Sequence, residues 1–372
     1  MPGLIVHEWI EATGGAERVV DEWATMFPDA EFACLWSDAD RYPGRVVQES
    51  WLARSALRGR KAASLPYMAL HWRHLDLRRY DWALVSSHSF AHHVGIAGAR
   101  AGVPVYVYAH TPPRYLWAPD LDERSDSTAA RLAAPVLRAV DRRGVSAKAR
   151  YAVNSHFVHE RAQRAWGVDA QVIYPPVEVG ADPDAPLDDA ERAVLAEVPQ
   201  GYLVAVSRFA TQKRLDLAIA FAAATDRPLV LCGRGPEEAR LRQIALDRGA
   251  RVQFVLSPSD ALLRALIRGA DAMVFPPVED FGIVPVEAMA LGCRVIVNDV
   301  GGAAESLDLV GGGVAFPFDR DWDAEAARRA LDDLAALPME SAHERATAFR
   351  PERFRQEIAA WMGRHGEAAV LD

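Results

Sequence analysis

The stretch D-A-M-V-F-P-P-V-E-D-F-G-I-V-P-V-E, residues 271–287, holds a strand, an acidic loop and the start of a helix in one short segment. The apolar run Ala272–Phe275 predicts a buried strand, which ends at a Pro-Pro pair, and a helix is predicted to begin near Val284. The loop carries Glu279 and the helix carries Glu287. Carboxylates accept hydrogen bonds from sugar hydroxyls, and free N–H groups at a helix N-terminus bind phosphate. The segment therefore predicts a site for a polyhydroxylated, anionic ligand; two solvated surface glutamates are the alternative.

Short apolar runs alternate with amphipathic helical patterns along the whole chain. The runs that predict strands are 4–6, 32–35, 83–86, 105–108, 151–154, 171–174, 203–206, 229–232, 252–255, 272–275, 294–297 and 314–316. The patterns that predict helices include 15–26, 129–140, 156–165, 215–224, 237–248 and 260–268. Valine-rich strands that alternate with helices predict parallel sheets covered on both faces, and hence two Rossmann-like α/β domains.

The chain of 372 residues is long for a single domain, and length alone favours two domains of roughly 150–190 residues. The segment 175–186, P-P-V-E-V-G-A-D-P-D-A-P, is rich in proline and aspartate, as is typical of a linker. We therefore predict a first domain over residues 1–178 and a second over residues 179–350.

The composition is that of an ordinary soluble globular protein, with 50% hydrophobic and 25% charged residues. No apolar run approaches the roughly 20 residues of a membrane span, and the N-terminus lacks the pattern of a secretory signal. Cys34, Cys232 and Cys293 form no C-x-x-C motif, so neither zinc nor a disulfide framework is indicated. The net charge of −9 argues against a nucleic-acid binder. We expect a cytoplasmic protein.

Three further loops follow predicted strands and suit a phosphate. Gly14-Gly15 opens the first helix, where glycines let the backbone approach a ligand closely. Arg208 and Lys213 would neutralise a diphosphate without a metal. Gly233, in G-R-G-P, allows a sharp turn from strand to helix. Each loop has a plain alternative: a tight turn, a solvated pair of cations, or a good connection between a strand and a helix.

Taken in order, these motifs resemble the retaining glycosyltransferases of family four, which have the GT-B fold of two Rossmann-like domains facing a central cleft. The resemblance covers nearly the whole chain. It rests on G-G-A-E-R at 14–18, Y-A-H-T-P-P-R-Y-L-W at 108–117, N-S-H-F-V-H-E-R at 154–161, V-I-Y-P-P-V-E at 172–178, S-R-F-x-x-x-K at 207–213, G-R-G-P at 233–236, E-D-F-G-I-V-P-V-E-A-M-A-L-G at 279–292 and G-G-A-A-E at 301–305. In similar proteins the C-terminal helix, here within residues 351–372, crosses back to pack on the first domain.

The resemblance implies a role for each candidate residue. Glu279 would contact the transferred sugar, and Glu287 would hold the ribose of the nucleotide. Arg208 and Lys213 would clamp the diphosphate, and His110 would face the sugar near the bond that breaks; outside its motif, His110 reads as a structural histidine. The other implied donor-binding positions are Gly14, Gly15, Gly233, Val255, Leu256, Phe281, Gly282, Ile283 and Val284.

One position departs from the family pattern. Leu256 stands where the family usually has the glycine of V-x-F-x-G, close to the nucleobase. The implied chemistry is attack on the face that the diphosphate leaves, because the fold offers no well-placed nucleophilic carboxylate. Stabilisation of the leaving diphosphate then carries the reaction, with no metal and no cofactor beyond the nucleotide sugar. Arg114, Tyr115 and Arg161 are the candidate acceptor residues.

The donor and the acceptor are predicted by analogy. The H-T-P-P-R-Y-L-W element resembles members that use GDP-mannose in surface glycan synthesis, which favours a mannosyltransferase; a UDP-sugar or another nucleotide sugar is the alternative. Residues 51–80 interleave the cations Arg54, Arg58, Arg60, Lys61, Arg73, Arg78 and Arg79 with Trp51, Leu57, Leu65, Tyr67, Trp72 and Leu75. This pattern fits a face that contacts anionic lipid at the inner side of the membrane, with a lipid-linked acceptor. It fits equally a solvated face packed on the core, with a saccharide acceptor.

Three rival classes use other features. A metal-dependent, single-domain glycosyltransferase would use an Asp-x-Asp motif, and Asp38-Ala39-Asp40 follows a predicted strand. The same pattern recurs at 120–122 and 182–184, and two α/β halves argue against that fold. A nucleotide-sugar 2-epimerase shares the two-domain fold but needs no acceptor. A non-catalytic sugar-binding protein is disfavoured by the intact set of charged candidate residues.

Overall fold

The computed structural model describes residues 2–12, 14–122, 128–179, 185–339 and 342–363. It divides the chain into two units: unit 1 is Met1–Pro176 with Pro351–Asp372, and unit 2 is Val177–Arg350. The division falls close to the predicted boundary at 178/179. Residues 180–184 of the predicted linker, including the Asp-x-Asp pattern there, and residues 364–372 of the predicted C-terminal helix lie outside the described residues.

Unit 1 is built on a parallel sheet of seven strands. The strands are β1 Gly3–His7, β2 Glu31–Cys34, β3 Val47–Glu49, β4 Trp82–Ser87, β5 Val105–Ala109, β6 Arg150–Val153 and β7 Gln171–Val172. They lie in the order β3-β2-β1-β4-β5-β6-β7. The helices between them are α1 Gly15–Met26, α2 Lys61–Arg73, α3 Val94–Ala101, α4 Arg114–Trp117, α5 Thr128–Arg142 and α6 His156–Trp166. The strand order reverses between β1 and β4, the place where such sheets bind ligands.

The core of unit 1 lies on both faces of this sheet. Successive side chains of a strand point to opposite faces. Leu4 and Val6 accordingly join one buried cluster, whereas Ile5 joins the other. Burial on both faces explains why the strands read as continuous apolar runs in the sequence.

Unit 2 repeats the same plan with six parallel strands. Its strands are β8 Leu203–Val206, β9 Leu229–Gly233, β10 Val252–Leu256, β11 Ala272–Phe275, β12 Val295–Asn298 and β13 Gly313–Phe316, in the order β10-β9-β8-β11-β12-β13. Its helices are α7 Asp189–Ala196, α8 Leu215–Ala224, α9 Glu238–Asp247, α10 Asp260–Arg268, α11 Ile283–Ala290, α12 Gly302–Val310, α13 Ala324–Ala335 and α14 Ala342–Ala346. Here the strand order reverses between β8 and β11.

The last helix, α15 Pro351–Trp361, follows unit 2 in the sequence but belongs to unit 1. Phe354, Ile358 and Trp361 are buried in the cluster that contains Ile5. Arg355 pairs with Glu22 of α1 at 2.7 Å. The crossing back of the chain end, implied by the resemblance, is confirmed.

The two doubly wound parallel sheets confirm the predicted fold class. Every predicted strand is present, although the run 171–174 is shortened to the two residues of β7. The sequence missed β3, because this edge strand reads V-Q-E and is only half-buried, so it makes no apolar run. No helix within the described ranges is long and apolar enough to cross a membrane.

Candidate functional site

The predicted site residues fall into two groups, one in each unit. Unit 1 holds Gly14, Gly15, His110, Arg114, Tyr115 and Arg161. Unit 2 holds Arg208, Lys213, Gly233, Val255, Leu256, Glu279, Phe281, Gly282, Ile283, Val284 and Glu287. Most of these positions lie at or just after the carboxyl ends of strands, where a parallel sheet places its binding loops.

Gly14 leaves room for a carboxylate. It is the N-cap of α1, which begins at Gly15. A Cβ on Gly14 would lie 2.0 Å from Oε2 of Glu17, much too close for any real contact. Oε1 of the same buried carboxylate lies 3.6 Å from Nε2 of His7, the last residue of β1. The missing side chain at Gly14 therefore lets Glu17 fold back toward the end of β1, a use that the sequence did not indicate.

A row of polar side chains continues from His7 to His110. Nδ1 of His7 lies 2.9 Å from Oγ of Ser86 on β4. The same Oγ lies 2.8 Å from Nε2 of His110, which directly follows β5. Glu17, His7 and Ser86 are buried, whereas His110 is half-buried. The row links the interior of unit 1 to its surface at the predicted site residue.

The pKa values of the two buried glutamates near this row, Glu17 and Glu8, shift in opposite directions. Burial acts to raise the pKa of Glu17, but its contact with His7 and the charge of that ring outweigh burial, so the pKa is lowered. Burial raises the pKa of the Glu8 carboxyl from 4.5 to about 7. The backbone N–H groups of Ala91 and Ser89, each 2.8 Å from its Oε1, oppose that rise without cancelling it. Glu17 is thus a carboxylate at neutral pH, while Glu8 titrates there.

The predicted acceptor residues lie around the H-T-P-P loop of unit 1. Oη of Tyr115 is 3.0 Å from Oγ of Ser89. Arg161 is 5% exposed and donates from Nη1 to Oγ1 of Thr111 at 2.6 Å. Arg114 is half-buried at the start of α4. The Arg161 guanidinium thus supports the loop from inside; an acceptor role for these residues stays a prediction.

Unit 2 joins two of its candidate residues in an ion pair. Lys213 ends the turn Thr211–Lys213 after β8, and Glu279 lies in the loop after β11. Nζ of Lys213 donates to Oε1 of Glu279, and the two side chains are 24% and 20% exposed. The pair lies where the strand order reverses. It offers a cation and a carboxylate at one point, the groups that suit a phosphate and a sugar hydroxyl.

Arg208 lines a pocket at the carboxyl ends of β8, β9 and β10. The pocket has a volume of about 430 Å³, and its lining includes Arg208, Gly233, Gly235, Ser257 and Leu263. Gly233 has a φ of +138°, and a Cβ there would lie 1.9 Å from the carbonyl oxygen of Ser207. Glycine is therefore required for this turn, as the G-R-G-P motif suggested. Arg208 is exposed and has no carboxylate partner within the described ranges.

The acidic loop that follows β11 is packed tightly against the start of α12. Gly282 has a φ of +87°, and a Cβ there would lie 2.8 Å from that of Ala303. The N–H of Gly302 donates to the carbonyl oxygen of Glu279 at 2.8 Å. The G-G-A-A-E motif therefore fixes the shape of the loop that carries Glu279.

The residues next to Gly282 differ in their burial. Phe281 is buried, with its ring centroid 5.5 Å from that of Phe349, so only its backbone can face a ligand. Ile283, Val284 and Glu287, on the first turns of α11, are half-buried. In β10, Leu256 is 45% exposed and Val255 is buried.

One group of three potential metal ligands occurs within the described residues. His92, His93 and Asp141 are buried together in unit 1. Nδ1 of His93 accepts a hydrogen bond from Nε of Arg73 at 2.9 Å, and a guanidinium in this position opposes the binding of a divalent cation. Asp38, a member of the rival Asp-x-Asp motif, pairs with Arg58 at 3.2 Å.

Two family models match the chain. Glycosyltransferase Family 4 matches residues 13–180, and Glycosyl transferases group 1 matches residues 188–349. The chain is 27% identical to the alpha-1,3/1,6-mannosyltransferase ALG2 of Kluyveromyces lactis, over 42% of this chain and 39% of that protein. It is 32% identical to the phosphatidyl-myo-inositol mannosyltransferase of Mycolicibacterium smegmatis, over 44% of this chain and 42% of that protein. The matches thus span less than half the length of these two relatives.

Solved structures share the whole architecture at low identity. Anabaena HepE, crystallised with UDP, has a TM-score of 0.73 and 18% identity, and the match covers 98% of this chain and 100% of that chain. The lipopolysaccharide outer core galactosyltransferase WaaB has a TM-score of 0.68 and 15% identity, with 98% and 99% covered. These likenesses show the fold. The two family models, which cover the two halves of the sequence, show that the chain belongs to glycosyltransferase family 4, a family of retaining glycosyltransferases with the GT-B fold.

Proposed function

We propose that this protein transfers a hexosyl group from a nucleotide diphosphate sugar to an acceptor hydroxyl with retention of configuration. The observation that carries the proposal is the arrangement in unit 2, where the Lys213–Glu279 ion pair lies at the reversal of strand order and Arg208 lines the pocket at the ends of β8, β9 and β10. In unit 1, the row of residues from Glu17 to His110 places His110, the other candidate catalytic residue, at the half-buried end of the row.

The donor is assigned to unit 2 group by group. Arg208 and Lys213 bind the diphosphate, because guanidinium and ammonium groups form strong charge-assisted hydrogen bonds to phosphate oxygens. The glycine-lined pocket at Gly233 takes the nucleoside, and Glu287 accepts from the ribose hydroxyls. Glu279 exchanges its contact with Lys213 for a hydroxyl of the sugar. The backbone N–H groups at the start of α11 add donors for the diphosphate.

The chemical step depends on the charge of the leaving diphosphate. As the bond to the anomeric carbon breaks, negative charge grows on the diphosphate oxygen, and preorganised cations stabilise that charge most strongly in the transition state. Arg208 and Lys213 provide these cations, so the reaction proceeds without a metal. His110 contacts the sugar. The acceptor hydroxyl attacks from the face that the diphosphate leaves and passes its proton to the departing diphosphate oxygen.

We infer GDP-mannose as the donor. The support is the H-T-P-P-R-Y-L-W element together with relatives named as mannosyltransferases. A UDP-sugar is the second candidate, because HepE was crystallised with UDP. Leu256 stands where the family pattern has glycine near the base, and its side chain is 45% exposed at the end of β10.

We place the protein in the cytoplasm at an anionic membrane, with a lipid-linked acceptor. On α2 the exposed face consists of small or apolar residues, among them Ala63, Pro66, Tyr67 and Leu70, and the ring of exposed Trp51 lies 5.5 Å from that of Tyr67. Of the apolar residues that the sequence predicted for the lipid-contacting face, only Trp51 and Tyr67 are exposed. The side chains of Leu57, Leu65, Trp72 and Leu75 pack on the core instead.

The cations of this surface also differ in their availability. Lys61, Arg78 and Arg79 are held in ion pairs with carboxylates, as is Arg58. Arg54 and Arg60 are exposed and have no carboxylate partner within the described ranges. Basic side chains that flank an exposed apolar face suit a lipid headgroup region, where each cation contributes about 1 kcal/mol.

A panel of nucleotide sugars tests this function. The correct donor at 100 times its dissociation constant should stabilise the fold by about 2.7 kcal/mol, which a thermal shift detects. GDP-mannose should give the largest shift, and Lys213→Ala should lose most of it. A larger thermal shift with a UDP-sugar would mean that this sugar, and not GDP-mannose, is the donor. No shift with any nucleotide sugar would contradict the proposed function.

A further inference from the structure

Two loops of unit 2 are connected twice. The first connection is the Lys213–Glu279 ion pair, which joins the turn after β8 to the loop after β11. The second begins at Arg214, the residue after Lys213, whose Nη1 donates to Oδ1 of Asp319 at 2.6 Å. Asp319 follows β13, which lies three strands from β8 in the sheet. The second connection therefore spans the carboxyl ends of four strands.

This second connection continues through a buried asparagine. Nδ2 of Asn298, the last residue of β12, donates to Oδ2 of Asp319 and to the carbonyl oxygen of Pro276, each at 2.8 Å. Oδ1 of Asn298 accepts from the N–H of Val300 at 3.1 Å. Pro276 directly follows β11 and opens the acidic loop. We call Arg214, Asp319 and Asn298 the Asp319 network; it ends at the same loop as the ion pair.

The backbone at Arg214 favours a different residue. Its φ of +49° and ψ of +36° lie in the left-handed region, which glycine adopts freely and other residues adopt at a cost. Arg214 is also the N-cap of α8, a position that glycine suits. Local conformation alone would thus favour glycine, and what the arginine adds is its contact with Asp319.

We propose that the three residues of the Asp319 network are positioning residues, which hold Lys213 beside the acidic loop while the donor diphosphate binds. In the proposed function, on which this inference rests, Glu279 exchanges its contact with Lys213 for a hydroxyl of the sugar. The first connection is then broken. The network uses other atoms and stays intact, so the ammonium keeps its place. Lys213 is thereby preorganised for the charge that grows on the leaving diphosphate.

Arg214→Gly separates positioning from structural damage. The side chains of Arg214 and Asp319 are 39% and 34% exposed, so their ion pair contributes little to stability, and glycine suits the backbone. The thermal midpoint of unfolding should therefore stay close to that of the parent. We nevertheless expect kcat with the stabilising donor to fall about tenfold with KM little changed, because a displaced Lys213 weakens mainly the transition state.

Two further variants define the contact that matters. Asp319→Ala should lower kcat by about the same factor as Arg214→Gly, because it removes the other partner of the same contact. Arg214→Lys keeps a cation that reaches Asp319 and should restore most of the parent's kcat.

Asp226→Gly is the matched control. Asp226 is another residue of unit 2 with a left-handed backbone, at a φ of +52°, and it likewise pairs with an arginine, Arg251, at 3.3 Å. It precedes β9, at the amino edge of the same sheet and opposite the binding loops. The substitution makes the same change of backbone and removes the same kind of ion pair, so kcat should remain that of the parent.

Two double variants test whether the effect passes through the network to Lys213. Arg214→Gly combined with Asp319→Ala should be no slower than either single variant, because both remove one contact. Asp319→Ala in the Lys213→Ala background should cause no further loss of kcat, since Asp319 acts only through Lys213.

Hydrogen exchange of the donor-free protein tests the network without turnover. The N–H groups of Lys213 and Arg214 close the turn after β8 by donating to Ala210 and Thr211. Asp319→Ala should speed the exchange of these two amides by about tenfold, although Asp319 is 105 positions from Arg214, because the turn loses its anchor. Asp226→Gly should leave their exchange unchanged.

Three results would each overturn the inference: parent-like kcat in Arg214→Gly, losses that multiply in the double variant with Asp319→Ala, or unchanged exchange of the Lys213 amide in Asp319→Ala. A parent protein that turns over no nucleotide sugar is a different result. It would contradict the proposed function, and the exchange rates alone would then decide whether the network anchors Lys213.

Discussion

Glu8→Gln should remove a large part of the pH dependence of the stability of unit 1. The Glu8 carboxyl is fully buried, and burial raises its pKa to about 7, against 4.5 for an ordinary glutamate. The folded state therefore keeps its proton over a pH range in which the unfolded state releases it. Stability from this group is greatest at low pH and falls as the pH rises from about 4.5 to about 7. Glutamine resembles the protonated acid and cannot ionise.

The size of the effect follows from these two pKa values. A shift of one pKa unit corresponds to about 1.36 kcal/mol, and linkage over the two titrations gives a loss of about 2.5 kcal/mol between pH 5 and pH 8. The parent should lose about this much more unfolding free energy than Glu8→Gln between those pH values.

Urea unfolding followed by tryptophan fluorescence measures the difference. Every tryptophan except Trp322 lies in unit 1, so the main fluorescence transition reports that unit. Glu238→Gln, the same change in unit 2, is the control and should leave the transition as in the parent. Parallel pH profiles for the parent and Glu8→Gln would refute the reasoning, because they would mean that Glu8 binds its proton no more tightly in the folded state.

Three further outcomes are expected. Arg208→Ala or Lys213→Ala should each lower turnover by about 100-fold or more, as for other lost transition-state donors; near-normal turnover would contradict that residue's role. Phe354→Ala should destabilise the fluorescence transition of unit 1 by about 3–5 kcal/mol, because α15 fills its core; an unchanged transition would contradict the crossing of the chain end. Arg54→Ser with Arg60→Ser should weaken sedimentation with anionic liposomes and leave donor binding intact; parent protein that never sediments would favour a soluble saccharide acceptor.

Local patterns were sufficient for the sheets but not for the surface. Burial on both faces makes the strands apolar throughout, so their runs were visible without tertiary information. The segment 51–80 shows what local patterns do not predict. Its residues alternate between apolar and basic, and this pattern does not indicate which side of the helix packs on the core. In the structure Trp72 and Leu65 face inward, and Tyr67 and Leu70 face outward. A helical period fixes the spacing of such faces, whereas only packing fixes their direction.

The candidate site was predictable where one motif contains it. Glu279 and the glycines around it follow from strand, loop and helix signals within a single segment. The pairing of Lys213 with Glu279 and the contact of His7 with Ser86 depend instead on which strands become neighbours. Both pairs lie where the strand order reverses, so a predicted topology would have shown where to look for them.

The central claim is that Arg208 and Lys213 stabilise the diphosphate as it leaves the sugar of the nucleotide sugar. The transfer then retains the anomeric configuration and needs no metal. The most direct measurement is proton and phosphorus NMR of the protein with its stabilising donor in excess EDTA, with water or a simple alcohol as the acceptor. The account predicts release of the nucleoside diphosphate and first formation of the sugar product with the anomeric configuration of the donor. An inverted first product, or turnover that stops in EDTA and returns with manganese, would contradict it.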